Sequence, residues 1–397
     1  MNQYDHSLFS VFGIEAEYMI VERDTLKVLP ISDRILQEIN GGEITNEVEF
    51  DGLAWSNELV AHVLELKNYP PSVDLIGLDK KFHAAILAMN QRLANYNAML
   101  LPTAMHPWFD PYKETVLWPH GQKEIYSTYD RIFSCKGHGW SNLQSVHINL
   151  PFANEQEYKQ LHAAIRVVLP LIPYLCASSP YCDGKQSTSA DQRLDCYELN
   201  QKRVPEIVGI VIPDPIESFA DYYKLLDTIY LAIKPLDPEG VLQHPWLNSR
   251  GAISKLDIGA IEIRVMDIQE SSHMDISLAI FIVEMIKFIS AQSQNIKKAN
   301  DYPTKNLHEI YQNSKSFREF DLPPDYAEIF GIKAKVINDF CKKMLGKVSG
   351  SIPEYYQKSI MVVLEKGNLA KRLVAANGMN ISTYQKIAKI LGRNEVF

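Results

Sequence analysis

Apolar and polar positions alternate along Val11-Phe12-Gly13-Ile14-Glu15-Ala16-Glu17-Tyr18-Met19-Ile20-Val21. A period of two predicts a strand with Phe12, Ile14, Ala16, Tyr18 and Ile20 on one face and Glu15 and Glu17 together on the other. Gln144 to Leu150 and Ala260 to Met266 alternate in the same way, and Glu47 to Lys67 is a further acid-bearing stretch ended by Asn68-Tyr69-Pro70-Pro71. Spacings of three and four predict a helix through Leu75, Leu78, Phe82, Ile86, Met89, Leu93 and Tyr96, capped by Ser72. Glu155 to Ala177 reads as a helix that Pro170 and Pro173 kink or break, Ser218 to Ile233 as another, and Met274 to Ile289 as a strongly apolar one. Ser178 to Pro205 reads as a polar loop. Beyond residue 300 the strand signals fade and the chain to Phe397 reads as mostly helical. The pattern predicts an α+β fold: separated antiparallel strands with helices on one side, then a helical C-terminal part.

Two like charges side by side on a half-buried sheet repel each other and resist desolvation. Glu15 and Glu17 therefore lie either on a solvated edge or beside a cation, and an oxygen-only pair suits Mg²⁺ or a similar hard ion. Glu262 and Arg264 share a face of their strand. They read either as an ion pair worth little, or as a metal carboxylate beside a guanidinium that matches phosphate oxygens. Ser145, His147 and Asn149 share a third face, where His147 is a hydrogen-bonded core residue or a metal-competent group. Glu58 and Glu65, seven apart, fit one helix face or a strand with a bend between them.

Composition narrows the partners. The chain has 397 residues and a formal net charge of −8, which disfavours generic binding to nucleic acid or anionic membrane. Met1-Asn2-Gln3-Tyr4-Asp5-His6 carries no basic leader, and Ile276 to Ile289, interrupted by Glu284 and Lys287, is too short to span a bilayer. The five cysteines, odd in number and without a CxxC pair, predict reduced thiols in the cytoplasm, with neither a disulfide framework nor a zinc site.

These segments together resemble the carboxylate–amine ligases related to glutamate–cysteine ligase, within the glutamine-synthetase-like superfamily. The resemblance rests on the Glu15–Glu17 pair, on Glu58 and Glu65 followed by Pro70, and on His106-Pro107-Trp108. It continues through His147, where Ser145 replaces the first histidine of the family's HVH strand, and through Ala177-Ser178-Ser179-Pro180 with Asp191, Arg193, Tyr197 and Arg203. Ile261-Glu262-Ile263-Arg264-Val265 looks like the family's EIR strand and Gly367-Asn368-Leu369-Ala370 like its GxxA element. The shared order covers almost the whole chain.

The resemblance implies a glutamine-synthetase-like catalytic fold over residues 1–300, with a curved antiparallel sheet, and a helical region 301–397 packed on it. It implies ATP-dependent amide bond formation through an acyl phosphate, first of all glutamate–cysteine ligation; another carboxylate–amine pair or metal-dependent amide hydrolysis are the alternatives. Glu15, Glu17, Glu58, Glu65, His147 and Glu262 are then expected to bind Mg²⁺, and Arg264 to stabilise the transferring phosphoryl group. Arg193 and Arg203 would bind phosphate or a substrate carboxylate, or pair with Asp195 and Glu198 instead; Arg131 would reach the amino-acid substrate. The partners expected are small molecules, with a homo-oligomer left open and the identity of the amine undisclosed.

Overall fold

A computed structural model describes residues 3–397, apart from the side chain of Ser293. The described residues form ten strands: β1 (Gly13–Glu22), β2 (Glu47–Phe50), β3 (Leu53–Asn57), β4 (Val63–Asn68), β5 (Ala98–Leu101), β6 (Ser145–Pro151), β7 (Tyr181–Cys182), β8 (Lys185–Gln186), β9 (Ala252–Lys255) and β10 (Ala260–Asp267). Eight of them make one antiparallel sheet in the order β2-β3-β4-β1-β6-β10-β9, with β5 paired to the distal half of β1. The hairpin β7–β8 stands apart. This is the α+β arrangement that the alternation predicts.

The sheet has one dry face. Ile14, Ala16, Tyr18 and Ile20 of β1, Val146 and Ile148 of β6, and Ile261 and Ile263 of β10 are fully buried in one apolar cluster. The helices Leu78–Leu93, Glu155–Val168 and Ser272–Ser290 contribute to the same cluster, so helices cover this face. The last of these is apolar almost all round, as befits a helix packed on several sides. The C-terminal helices join the cluster through residues such as Tyr311, Phe340 and Ile360, and the helix Ser293–Asp301 runs across the expected division at residue 300.

Several elements depart from expectation for local reasons. Ser72 exchanges both backbone hydrogen bonds with Phe12, so it belongs to the sheet edge; the helix begins at Leu78, after Gly77 in the left-handed region. The stretch Ser178 to Pro205 holds the hairpin β7–β8 and the helix Gln192–Leu199, capped by Asp191. The stretch carrying Glu58 and Glu65 is a bent extended segment: β3 ends at Asn57, β4 starts at Val63, and Glu58 lies in the bend. Pro170 and Pro173 break their helix as expected, into Glu155–Val168, a 3-10 turn Leu169–Leu171 and Ile172–Cys176. Among the described residues no helix is long and apolar enough to cross a membrane. All five cysteines are free, three of them buried.

Candidate active site

The other face of the sheet is acidic. Register alone dictates it: Glu17 lies directly opposite Glu65, Glu15 opposite His147 and Glu262 opposite Asn149. A β-bulge at Arg264–Val265, opposite His147, then shifts the pairing so that Asp267 faces Ser145. Residues 262 and 267 thereby meet partners on the polar side despite their odd spacing.

Two parts of this face differ in charge balance. Glu17, Glu58 and Glu65 bring carboxylate oxygens within 4.8 Å of one another. Their neutralising neighbour is Lys67, whose Nζ is 3.6 Å from Glu65 Oε1 and is also paired with Glu47. Burial, followed by the Glu15 charge, pushes the Glu65 carboxyl up to about 7. Burial with the charges of Glu17 and Glu65 pushes Glu58 well above the carboxylate range. Glu262 stands in the opposite condition. Burial opposes its ionisation, but Arg264 Nε on one oxygen and Lys255 Nζ on the other hold its carboxyl far below the ordinary value.

His147 joins the two parts. It lies 3.0 Å from Glu15 Oε2 through Nδ1 and 2.9 Å from Ser145 Oγ through Nε2. Ser145 donates to Glu17 Oε2 from its backbone N–H, at 2.7 Å, and its hydroxyl is 2.9 Å from the same oxygen. Burial disfavours the imidazolium, yet the Glu15 bond and the Glu262 and Glu17 charges raise the ring above its ordinary value. Burial and the Glu262 charge raise Glu15, but the His147 bond and Lys255 outweigh them and hold it low.

A cavity opens at each end of the acidic face. The first, about 230 Å³, is lined by Glu17, Glu58, Ser145, His147, Arg193 and Arg264 on the charged side and by an aromatic wall containing Tyr126, Tyr129, Trp140 and Trp246. The second, about 360 Å³, is lined by Glu15, Lys67, Asn68, Asn149 and Lys255, with apolar walls including Ile14, Tyr69 and Ile258.

A model of glutamate–cysteine ligase family 2 (GCS2) matches residues 11–306. The chain belongs to this family. It is a ligase, as the reading of its motifs implied. An uncharacterized protein of Archaeoglobus fulgidus is 32% identical over 392 residues, covering 98% of this chain and all of that one. A putative glutamate–cysteine ligase 2 of Ruegeria pomeroyi is 22% identical over 275 residues, or 67% of this chain and 62% of its own length. The fold is shared with the Francisella tularensis glutamate–cysteine ligase solved with AMP, at a TM-score of 0.60 and 13% identity over 99% of this chain and 90% of that one. It is shared also with the bifunctional glutathione synthetase of Pasteurella multocida, at a TM-score of 0.61 and 14% identity over 97% of this chain and 53% of that one.

In this GCS2 chain the structure gathers Glu15, Glu17, Glu58, Glu65, His147, Glu262, Arg193 and Arg264 on or beside the acidic face. Arg193 is buried. Its Nε pairs with Asp267, which also accepts from the Ser178 backbone N–H at 2.8 Å and from the Ser179 hydroxyl at 3.0 Å. Arg193 thus ties the Ser178–Ser179 segment to the end of β10 while lining the first cavity. Arg131 and Arg203 are not brought to either cavity. Both are exposed, Arg131 donating to the Leu236 carbonyl and Arg203 to the Ile132 carbonyl at 2.5 Å, so the expected substrate and phosphate contacts have no geometric support.

Lys255, Asn149 and the aromatic wall were not among the residues expected. Asn149 donates to Glu15 Oε1 at 3.1 Å and accepts from Lys255 Nζ at 3.2 Å. The alternation that placed Asn149 on the His147 face was its signal. Lys255 had one too, since a hairpin turning at Gly259 brings it beside the Glu262 strand.

Proposed function

We propose that this chain is an ATP-dependent carboxylate–amine ligase, with γ-glutamylcysteine formation the first reading of its substrates. The observation that carries this is one acidic sheet face standing between two cavities of different chemistry. The second cavity, larger and apolar-walled with two lysines and two asparagines, suits a nucleotide. The first, with two arginines, two acids and an aromatic wall, suits the carboxylate and the amine. The family's name and that of the Ruegeria relative support glutamate and cysteine, and the Francisella enzyme of the same fold holds AMP.

The donor set fits a hard divalent cation: several buried carboxylates converge, and burial together with their neighbours' negative charge drives two of them towards the protonated form. Glu15, Glu17, Glu58, Glu65, His147 and Glu262 would hold Mg²⁺, which screens triphosphate and carboxylate from each other when bound. In the structure Lys255 and Arg264 supply the positive charge beside Glu262. The substrate carboxylate attacks the γ-phosphorus of ATP, the bond from that phosphorus to the β,γ-bridging oxygen breaks and ADP leaves, with Arg264 beside the charge that develops on the transferring group. The amine then displaces phosphate from the acyl phosphate, giving the amide. Arg193, fixed by Asp267, orients the carboxylate substrate.

Phosphate release from ATP, measured over pairs of amino acids and amines, tests the proposal. Release that needs both partners supports it. Turnover without ATP overturns it in favour of a hydrolase.

A further inference from the structure

Three residues lining the first cavity carry a buried polar atom with no hydrogen-bond partner in the protein: Trp140 Nε1, Gln201 Oε1 and the Tyr197 hydroxyl. Tyr197 stands beside the Arg264 guanidinium, which leaves Trp140 and Gln201 as the pair free to meet a ligand. Gln201 is 3% exposed. Its amide orientation is fixed, because Nε2 donates to Ser249 Oγ at 2.8 Å and the Ser249 hydroxyl is committed to the Leu247 carbonyl at 3.2 Å. Flipping the amide would set an acceptor against an oxygen whose proton is already given away. Oε1 is therefore an unspent acceptor. Trp140 is held as firmly, its ring packed on Tyr129 with centroids 5.2 Å apart and on Phe133 at 6.0 Å. Its indole N–H can only donate.

A buried donor and a buried acceptor left unpaired carry a desolvation penalty that a complementary ligand removes. We propose that Gln201 and Trp140 read the head group of the amine substrate, Gln201 accepting from its nitrogen and Trp140 donating to its carboxylate. This rests on the ligase reading and deepens it. The amine is then an α-amino acid, and ammonia or a plain alkylamine leaves Trp140 unsatisfied. Neither residue touches the phosphoryl group; both set specificity.

Matched amines that differ by one carboxylate test this directly: cysteine with cysteamine, serine with ethanolamine, phenylalanine with phenethylamine. The wild-type enzyme should favour the best amino acid over its decarboxylated partner by about a hundredfold in kcat/KM. Trp140→Phe keeps an aromatic ring in the wall and removes the N–H, and Gln201→Met removes the acceptor at similar volume. Each should raise the amine KM roughly tenfold and leave the KM for ATP unchanged, with Trp140→Phe alone narrowing the preference for the carboxylate. Equal use of the two members of a pair, or parallel loss of ATP and amine affinity, overturns the proposal. If no pair supports ATP-dependent turnover, the ligase reading fails. Tryptophan fluorescence titrated with the same pairs then decides the subsite alone: selective binding of amino acids that Trp140→Phe abolishes supports it, and indifference to the carboxylate overturns it.

Discussion

Glu17 and Glu65 face each other directly across β1 and β4, both nearly buried, with Glu58 beside them. Like charges opposite one another on a sheet destabilise it by up to about 1 kcal/mol. The divalent cation proposed for this site would offset that repulsion. Glu65→Gln keeps the hydrogen bond from the Ser56 hydroxyl, 2.9 Å long, and removes one charge. In the absence of divalent metal the variant should melt slightly above the wild-type protein. Added Mg²⁺ should raise the wild-type Tm and move the variant far less. A variant that gains as much from Mg²⁺ as the wild type would show that Glu65 holds no cation.

Glu262→Gln removes a charge that two cations share. Lys255 and Arg264 keep 28% and 20% of their side-chain surface exposed, so the loss is softer than for a fully buried pair. We expect on the order of 2–3 kcal/mol of destabilisation, read from denaturant melts, together with loss of ATP-dependent phosphate release. Near-full activity with Mg²⁺–ATP would remove Glu262 from the site.

Much of this face was legible in the sequence because a period of two leaves few choices. Glu15 and Glu17, His147 and Asn149, and Glu262 and Arg264 each fall on one side of an apolar strand, and the sheet aligns those sides. The bulge at Arg264–Val265 was not legible, since it arises from pairing with β6 and leaves no mark on the local alternation. Arg131 and Arg203 were drawn towards the site by motif proximity, without a periodic constraint to aim them. The aromatic wall was hidden for another reason. It is assembled from the helices Lys123–Phe133 and His138–Ser141 and the turn Pro245–Leu247, whose meeting depends on distant packing.

Gly139 supports that wall. A Cβ there would lie 1.6 Å from Asn200 Oδ1 and 2.6 Å from the Cys196 carbonyl oxygen, so the helix carrying Trp140 touches the one carrying Arg193 through a bare backbone. Gly139→Ala must push these elements apart. The expected cost is about 1–3 kcal/mol, with the KM for the carboxylate and amine substrates rising while that for ATP holds. Unchanged substrate affinities would show that the two helices do not set the shape of the first cavity.

Three buried histidines away from the acids are expected to make stability fall at low pH. Burial lowers His62 and His106 to about 4 and His162 to about 3, against an ordinary value of 6.5. A depressed value means that the unfolded chain binds more protons than the folded one as the pH falls below 6.5. Stability supplied by the neutral rings is thus complete above 6.5 and is lost as the pH falls towards 3 to 4. Each ring contributes a slope of up to about 1.4 kcal/mol per pH unit within that window. Glu65 acts in the opposite sense, its contribution being present below 4.5 and lost as the pH rises towards 7, so the whole-protein profile mixes the two. A difference measurement separates them. His162 has no partner at Nδ1, and His162→Leu replaces the ring with an apolar side chain of similar volume. Urea melts of both proteins from pH 7 to pH 4.5 should show the wild type losing stability relative to the variant as the pH falls. Parallel curves would mean that His162 takes up its proton in the folded protein as readily as in the unfolded chain.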